Sequence, residues 1–244
     1  MNLALGIHFG PRIALVAATL QQPTERHQRV VAPLLRKDPH HASDAPTPRT
    51  TGEAITKAVQ SVCEKLSDRP QSITLVLNDG VNPDWGIAAI DQYLSELRTA
   101  LSQHIPSAVN RVEIRPQPVI HGALQNLVFL PTGTVNTAVD FDTQTWAIAA
   151  IGATSSDYLV VDKGALTKRR AVGGHTSAEK IATEIHSSVT HPEKLNGAFI
   201  VADPSLETAI RHVLPRVILP QAPEWAVAEG FCRYALFCAA RQST

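Results

Sequence analysis

Trp146-Ala-Ile-Ala-Ala-Ile-Gly-Ala-Thr-Ser-Ser-Asp-Tyr-Leu-Val-Val161 reads as an apolar run, a tight turn at Gly152, and a second apolar run returning in the opposite direction. The same pattern stands near the start, in Leu3-Ala-Leu-Gly-Ile-His-Phe-Gly-Pro-Arg-Ile-Ala-Leu-Val-Ala17. Both predict a β-hairpin whose glycine turn can place backbone N–H groups around a small anion. Two such hairpins facing each other would grip a string of phosphates.

Outward from the first hairpin, residues 23–51 are rich in Pro, His, Arg, Ser and Thr and read as an exposed loop, with one strand at Arg29 to Leu35. Thr51 is placed as the N-cap of a helix carrying Ile55, Val59, Val62 and Leu66, with Pro70 marking its exit. Ser72–Leu77 predicts a buried strand. A helix capped by Asp84 follows, with Ile87, Ile90, Tyr93, Leu94, Leu97 and Leu101 on its apolar face. Arg111–Arg115 predicts a strand and Val119–Phe129 a helix. Beyond the second hairpin, Ala165–Val172 predicts a third strand ended by Gly173-Gly174, which either admit a ligand or simply terminate the strand. Thr176 or Ser177 caps a helix with Ile181, Ile185 and Val189. Gly197–Ala202 reads as a strand, Ser205–Leu214 as a helix and Pro223–Ala240 as the last helix. A three-stranded antiparallel start followed by helices and strands describes a ribonuclease-H-like lobe. The chain reads as α/β with two such lobes, residues 1–130 and 131–244.

These two phosphate-loop hairpins resemble those of the actin, Hsp70 and sugar-kinase superfamily, and within it the plasmid-segregation actins of the ParM and StbA group. The resemblance implies an actin-like arrangement of the lobes. Gln117, opening Gln117-Pro-Val-Ile-His-Gly-Ala-Leu124, would have the role of orienting the hydrolytic water. His8 and Gly10 on the first loop, and Gly152, Thr154, Ser155 and Asp157 on the second, would hold the nucleotide's phosphates, with Gly173 and Gly174 beside them. Pro223–Tyr234 resembles the ParM-type ending, in which Ala228 and Gly230 let the last helix pack closely on the sheet.

The departures carry equal weight. The family's loops begin with aspartates, where this chain has His8 and Ala150. An imidazole can contact phosphate or a transition metal, or be only a strand-end histidine, but Mg²⁺ prefers oxygen ligands. Ser187–Asn196 leaves no room for the adenine-holding subdomain, so the small subdomains are reduced or absent. The adenosine-side loop reads Ala202-Asp-Pro-Ser205, and Pro204 removes a donor. Whether Asp140, Asp142 or Asp157 takes over a lost carboxylate's duty is left open at this point.

Lys plus Arg and Asp plus Glu both total 22, giving a formal charge of +0, so no global field recruits nucleic acid or an anionic membrane. The run Lys168-Arg169-Arg170 fits a charged edge strand. No segment reaches the roughly 18 apolar residues of a membrane span. The apolar opening has no basic start and is broken by His8 and Arg12, unlike a signal peptide. Cys63, Cys232 and Cys238 have neither metal-ligand nor disulfide spacing, which fits a reducing cytoplasm. His40-His41 and the other histidines lack metal-site spacing. The expectation is a divergent ParM-like protein, leaning away from enzyme activity, that is a weak or non-hydrolysing binder of ATP or ADP, with Mg²⁺ disfavoured. It would act through homo-oligomers or protein partners. The alternatives are a nucleotide-independent scaffold and, last, a small metabolite kinase.

Overall fold

The computed structural model describes residues 2–9, 13–19, 28–32, 48–66, 69–78, 86–105, 109–152, 155–174 and 177–242. It divides into two compact units. The first comprises Met1–Pro118, Pro131–Gly133 and Phe231–Thr244, the second Val119–Leu130 and Thr134–Gly230.

In the first unit, β1 (Asn2–Phe9), β2 (Ile13–Thr19) and β3 (Gln28–Ala32) form an antiparallel meander, followed by α1 (Pro48–Lys65), β4 (Ser72–Asn78), α2 (Ile87–His104) and β5 (Arg111–Gln117). The sheet order is β3-β2-β1-β4-β5, with β4 parallel to β1 and β5 parallel to β4. Alternation along β1 sends Leu3, Leu5 and Ile7 into one core with Ile55, Val59 and Val62 of α1 and Tyr93, Leu97 and Leu101 of α2. The other face, with Ala4, Val16, Ala18 and Val76, is buried too. On that side the Cys232 thiol lies 3.6 Å from the Ala4 carbonyl.

Three local expectations are corrected here. Helix α1 begins at Pro48, where a missing N–H costs nothing, so Thr51 is a buried residue within the helix rather than its cap. Gly86 is the N-cap of α2, and Asp84 lies outside the described residues. Ile87, at the first position of α2, is 81% exposed rather than on the apolar face. Strand β5 runs on through Pro116 to Gln117, which is tolerated because an edge strand leaves one side of its backbone without a ladder partner.

The second unit repeats the plan. After α3 (Val119–Val128) come β6 (Thr145–Ile151), β7 (Ser155–Asp162), β8 (Ala165–Gly173), α4 (Ala178–Ser188), β9 (Leu195–Val201), α5 (Glu207–Val213) and β10 (Val217–Ile218). The last helix, α6 (Pro223–Gln242), contributes residues to both units. The sheet order, β10-β9-β6-β7-β8, is that of the first sheet with the elements renumbered. β6 is a continuous apolar run because both of its faces are covered. Ala147, Ala149 and Tyr158 face α4 and α5, packing with Ile181, Ile185 and Ile210. The connection from α4 to β9 is only residues 189–194.

The two-residue strand β10 follows α5, in a stretch to which the sequence assigns no element. The stretch expected as one helix from Ser205 to Leu214 is a 3-10 turn, Pro204–Leu206, leading into α5. Ser177 caps α4, its hydroxyl accepting from the Lys180 N–H at 3.3 Å. β8 is an exposed edge strand, as its charges suggested. Lys168 and Arg170 reach α4, at the Ser187 carbonyl (3.0 Å) and Glu184 (2.9 Å), while Arg169 points to the opposite face.

Gly230 of α6 meets α3, where the sequence suggested close packing on the sheet. A Cβ built there would lie 1.8 Å from the Gly122 carbonyl oxygen. One turn away the Asn126 amide donates to the Ala226 carbonyl at 2.7 Å, so the two helices cross antiparallel at a glycine contact.

Candidate functional site

Ligands on open α/β sheets bind outside the carboxyl ends of the parallel strands, which makes those ends the candidate sites of each sheet. In the first sheet, β1, β4 and β5 run parallel, and their register pairs Ile7 with Leu77 and Asn78 with Gln117. With Leu3, Leu5 and Ile7 facing α1 and α2, residues His8, Asn78 and Gln117 fall in a row on the opposite face. None of the three carries a charge at neutral pH. Burial among protein atoms pushes the His8 imidazole down to about 4. Asn78, 1% exposed, was absent from the sequence-derived candidates. Its signal was a lone amide ending the apolar run Ile73–Leu77. Gly10 lies outside the described residues, as does Thr154.

In the second sheet the position equivalent to His8 is Ala150, penultimate in the first strand of the unit. Its partner across the β6–β7 ladder is Asp157. Directly opposed residues share a face with Cβ atoms about 4.5–5.5 Å apart, so a carboxylate stands one strand away from the alanine. Asp157 is 3.7 Å from the Arg169 guanidinium. Asp140 and Asp142 stand before β6, at its opposite end. Asp140 accepts hydrogen bonds from the Thr143 hydroxyl and the N–H groups of Thr143 and Asp142, which hold its carboxyl below the usual range. Of the three acids only Asp157 is placed beside Ala150.

The other second-loop candidates converge on this end of the sheet. Gly152 donates its N–H to the Ser155 carbonyl at 2.9 Å, closing the hairpin, so this N–H is committed to the turn. A Cβ on Gly152 would approach the same oxygen to 2.7 Å, which explains the glycine. Ser155 pairs with Gly173, and Gly174 follows at the end of β8. A Cβ on Gly173 would meet open space.

Beside the turn, β9 leads into Ala202-Asp203-Pro204, where a cavity of about 40 Å³ lies between the 3-10 turn and residues 219–223. The Asp203 carboxylate accepts from the Ser205 N–H at 2.9 Å, and this contact holds its carboxyl below the usual range.

Mg²⁺ asks for about six oxygens in near-octahedral array. Neither His8 nor Ala150 offers one, and Asp157 is a single acid facing a cation. Among the described residues no group of three or more His, Cys, Asp or Glu is arranged to hold a metal. The described cysteines are all free and buried, and no described helix is long and apolar enough to cross a membrane.

No protein-family model matches the sequence, and no curated protein matches it. Solved structures do. The apo psk41 ParM protein aligns over 100% of this chain and 99% of its own, with a TM-score of 0.67 at 9% identity. The Alp12 filament structure aligns over 99% of both chains with a TM-score of 0.60 at 12% identity. Bacillus thuringiensis ParM with ATP aligns over 99% of both with a TM-score of 0.55 at 11% identity. At such identities the similarity speaks for the architecture alone: the chain has the actin-like fold of the ParM type.

Proposed function

We propose that this protein binds nucleotide weakly, does not hydrolyse it, and works by assembling with copies of itself or with a protein partner in the cytoplasm. The observation that carries the reading is the pairing of an actin-like fold with strand ends stripped of carboxylate at His8 and Ala150. Phosphoryl transfer depends on positioning and on neutralising charge through Mg²⁺. Gln117 is a candidate for orienting a water molecule, but neither His8 nor Ala150 offers Mg²⁺ an oxygen ligand, and no hydrolytic step is assigned. The assembly half draws on the likeness to the Alp12 filament, and the nucleotide half on the likeness to ParM with ATP.

A nucleotide-independent scaffold is the second reading, favoured by the Gly152 N–H being spent within its own turn. Calorimetry with ATP and ADP, with and without Mg²⁺, together with phosphate-release assays and light scattering, separates the two. Weak binding without phosphate release, and assembly that responds to nucleotide, support the first reading. Nucleotide-independent oligomers with no binding support the second, and steady Mg²⁺-dependent release of phosphate overturns the non-hydrolysing assignment.

A further inference from the structure

We propose that the outer edge of β8 is a docking site for another protein, which adds a short, extended, acidic segment to the second sheet as a further strand. This rests on the assembly reading above and names, for its protein-partner half, the surface and the partner's chemistry.

β8 closes the second sheet and is laddered only to β7. An edge strand turns the N–H and C=O of every second residue away from its neighbour, which is a template for one more strand. Edges are usually blunted by brevity, by proline, by a bulge or by a cover. The other edges of the two described sheets follow this rule: β3 has five residues, β10 has two, and β5 carries Pro116. β8 has nine residues and no proline, and every residue from Ala165 to Ala171 is exposed. Its one irregularity falls at Thr167, which the register skips. From Lys168 to Gly173 the strand pairs with β7 without a break.

Charge decides which strand fits. β8 carries Lys168, Arg169 and Arg170 and no acid. Lys168 and Arg170 oppose Val160 and Tyr158 on the α4 face, and Arg169 lies on the other, so a strand laid alongside meets cations on both faces. Lys168 donates to a carbonyl, which leaves its charge unbalanced. Arg169 and Arg170 meet Asp157 and Glu184 through one nitrogen each, yet their side chains are 48% and 45% exposed and a guanidinium has five N–H donors. The same residues disfavour a second copy of β8. Antiparallel pairing about Arg169 sets Arg169 against Arg169 and Lys168 against Arg170, like charges directly opposed. Nor do the other edges offer a complement, because β3 and β5 carry more arginine than acid and β10 carries no charge. The occupant is therefore a segment of a different protein with Asp or Glu at successive positions, which answers the cations on both faces.

Fluorescence anisotropy with the full chain tests this, using a labelled peptide of three consecutive Glu flanked by Val and Thr. It is expected to bind at about 100 μM or tighter, and at least about tenfold tighter than the same peptide with Lys for Glu or with Pro for Val. The proline peptide keeps the charge but cannot ladder. Equal binding of either control, or no saturation by about 1 mM, overturns the inference and leaves self-assembly, measured separately by light scattering, standing. Amide hydrogen exchange in β8 should slow when the acidic peptide binds, and protection elsewhere with none in β8 overturns the placement. Lys168→Glu combined with Arg169→Glu changes two exposed side chains and should reverse the preference towards the lysine peptide. An unreversed preference overturns the role of these cations. A dimer of the chain that the acidic peptide dissociates would put a second copy on this edge, overturning the acidic partner while supporting the assembly reading.

Discussion

Gly230→Ala is the substitution whose effect the structure dictates most directly. The new methyl carbon would lie 1.8 Å from the Gly122 carbonyl oxygen and 2.7 Å from the Asn126 nitrogen, both backbone atoms of α3. Carbon and carbonyl oxygen rarely approach closer than about 3.3 Å, so the helices must part by roughly 1.5 Å. That displacement stretches the Asn126–Ala226 hydrogen bond from 2.7 Å past bonding distance. Overpacking costs about 1–3 kcal/mol and the lost hydrogen bond about 0.5–1.5 kcal/mol. Alanine's better helix propensity returns only about 1 kcal/mol. A net loss of about 0.5–3.5 kcal/mol follows, and its central value of about 2 kcal/mol, at a urea slope of about 1–3 kcal/mol per molar, moves the midpoint down by about 1 M. Trp146 and Trp225 both belong to the second unit, so their fluorescence reports on the part of the fold that this change strains. The matched control is Gly52→Ala in α1, whose Cβ would meet Leu97 backbone atoms at 3.5 Å, ordinary van der Waals contact. It should stabilise by about 0.5–1 kcal/mol. A Gly230→Ala protein as stable as the parent would refute the glycine-crossing argument, whatever the control does.

The remaining predictions concern charge. The unfolded chain protonates His8 near its ordinary 6.5 and the folded chain only near 4, so between these values the unfolded state holds more protons and stability rises with pH. That contribution is complete above about 6.5, is lost as pH falls through about 4, and is at most about 3 kcal/mol. His8→Gln should flatten this part of the stability profile, and an unchanged profile would show that the imidazole is not sequestered. Ala150→Asp places a second carboxylate opposite Asp157, adding a like-charge cross-strand pair on a buried face, and should lower the melting temperature in chelator. Millimolar Mg²⁺ should then raise it again, as any ion bound only by the folded state does, and the absence of a Mg²⁺ response would argue against the geometric equivalence drawn here. Arg169→Ala removes the cation facing Asp157 and should cost less than about 1 kcal/mol in thermal unfolding, since both side chains retain solvent contact.

How far the chain could be read from its residues depended on the range of the interaction. The helices were legible because Ile55, Val59 and Val62, and Tyr93, Leu97 and Leu101, repeat at helical spacing and all turn inward. The hairpins were legible because alternation and turn glycines are local signals. β10 was missed because two residues cannot show a period, and its pairing with β9 comes from a strand some twenty residues earlier. The start of α1 was misplaced because Thr51 is a good cap by type, while Pro48 three residues before it is a better first position. Gly230 was flagged as a packing glycine, but its partner Gly122 is far away in sequence, so the surface it approaches could not be named. Asn78 was passed over because a single amide after an apolar run looks like any strand end. It becomes a candidate only when the parallel register sets it beside Gln117.

The same register explains why His8 and Ala150 belong together. The sheets share one topology, and His8 and Ala150 occupy matching positions at the end of the first strand in each. Ala150 is 8% exposed, and an ionised side chain there would be stable only with a cation beside it, because an uncompensated buried charge costs several kcal/mol. Without an ion, an acid at such a position is a liability. A methyl group at one site and an imidazole kept neutral by burial at the other are both states that need no counter-ion. Asp157 escapes this logic because it keeps partial exposure and faces Arg169, so its charge is balanced within the protein. Residues that need no counter-ion at these two positions predict that neither unit should gain stability from Mg²⁺ while the sequence stands as it is.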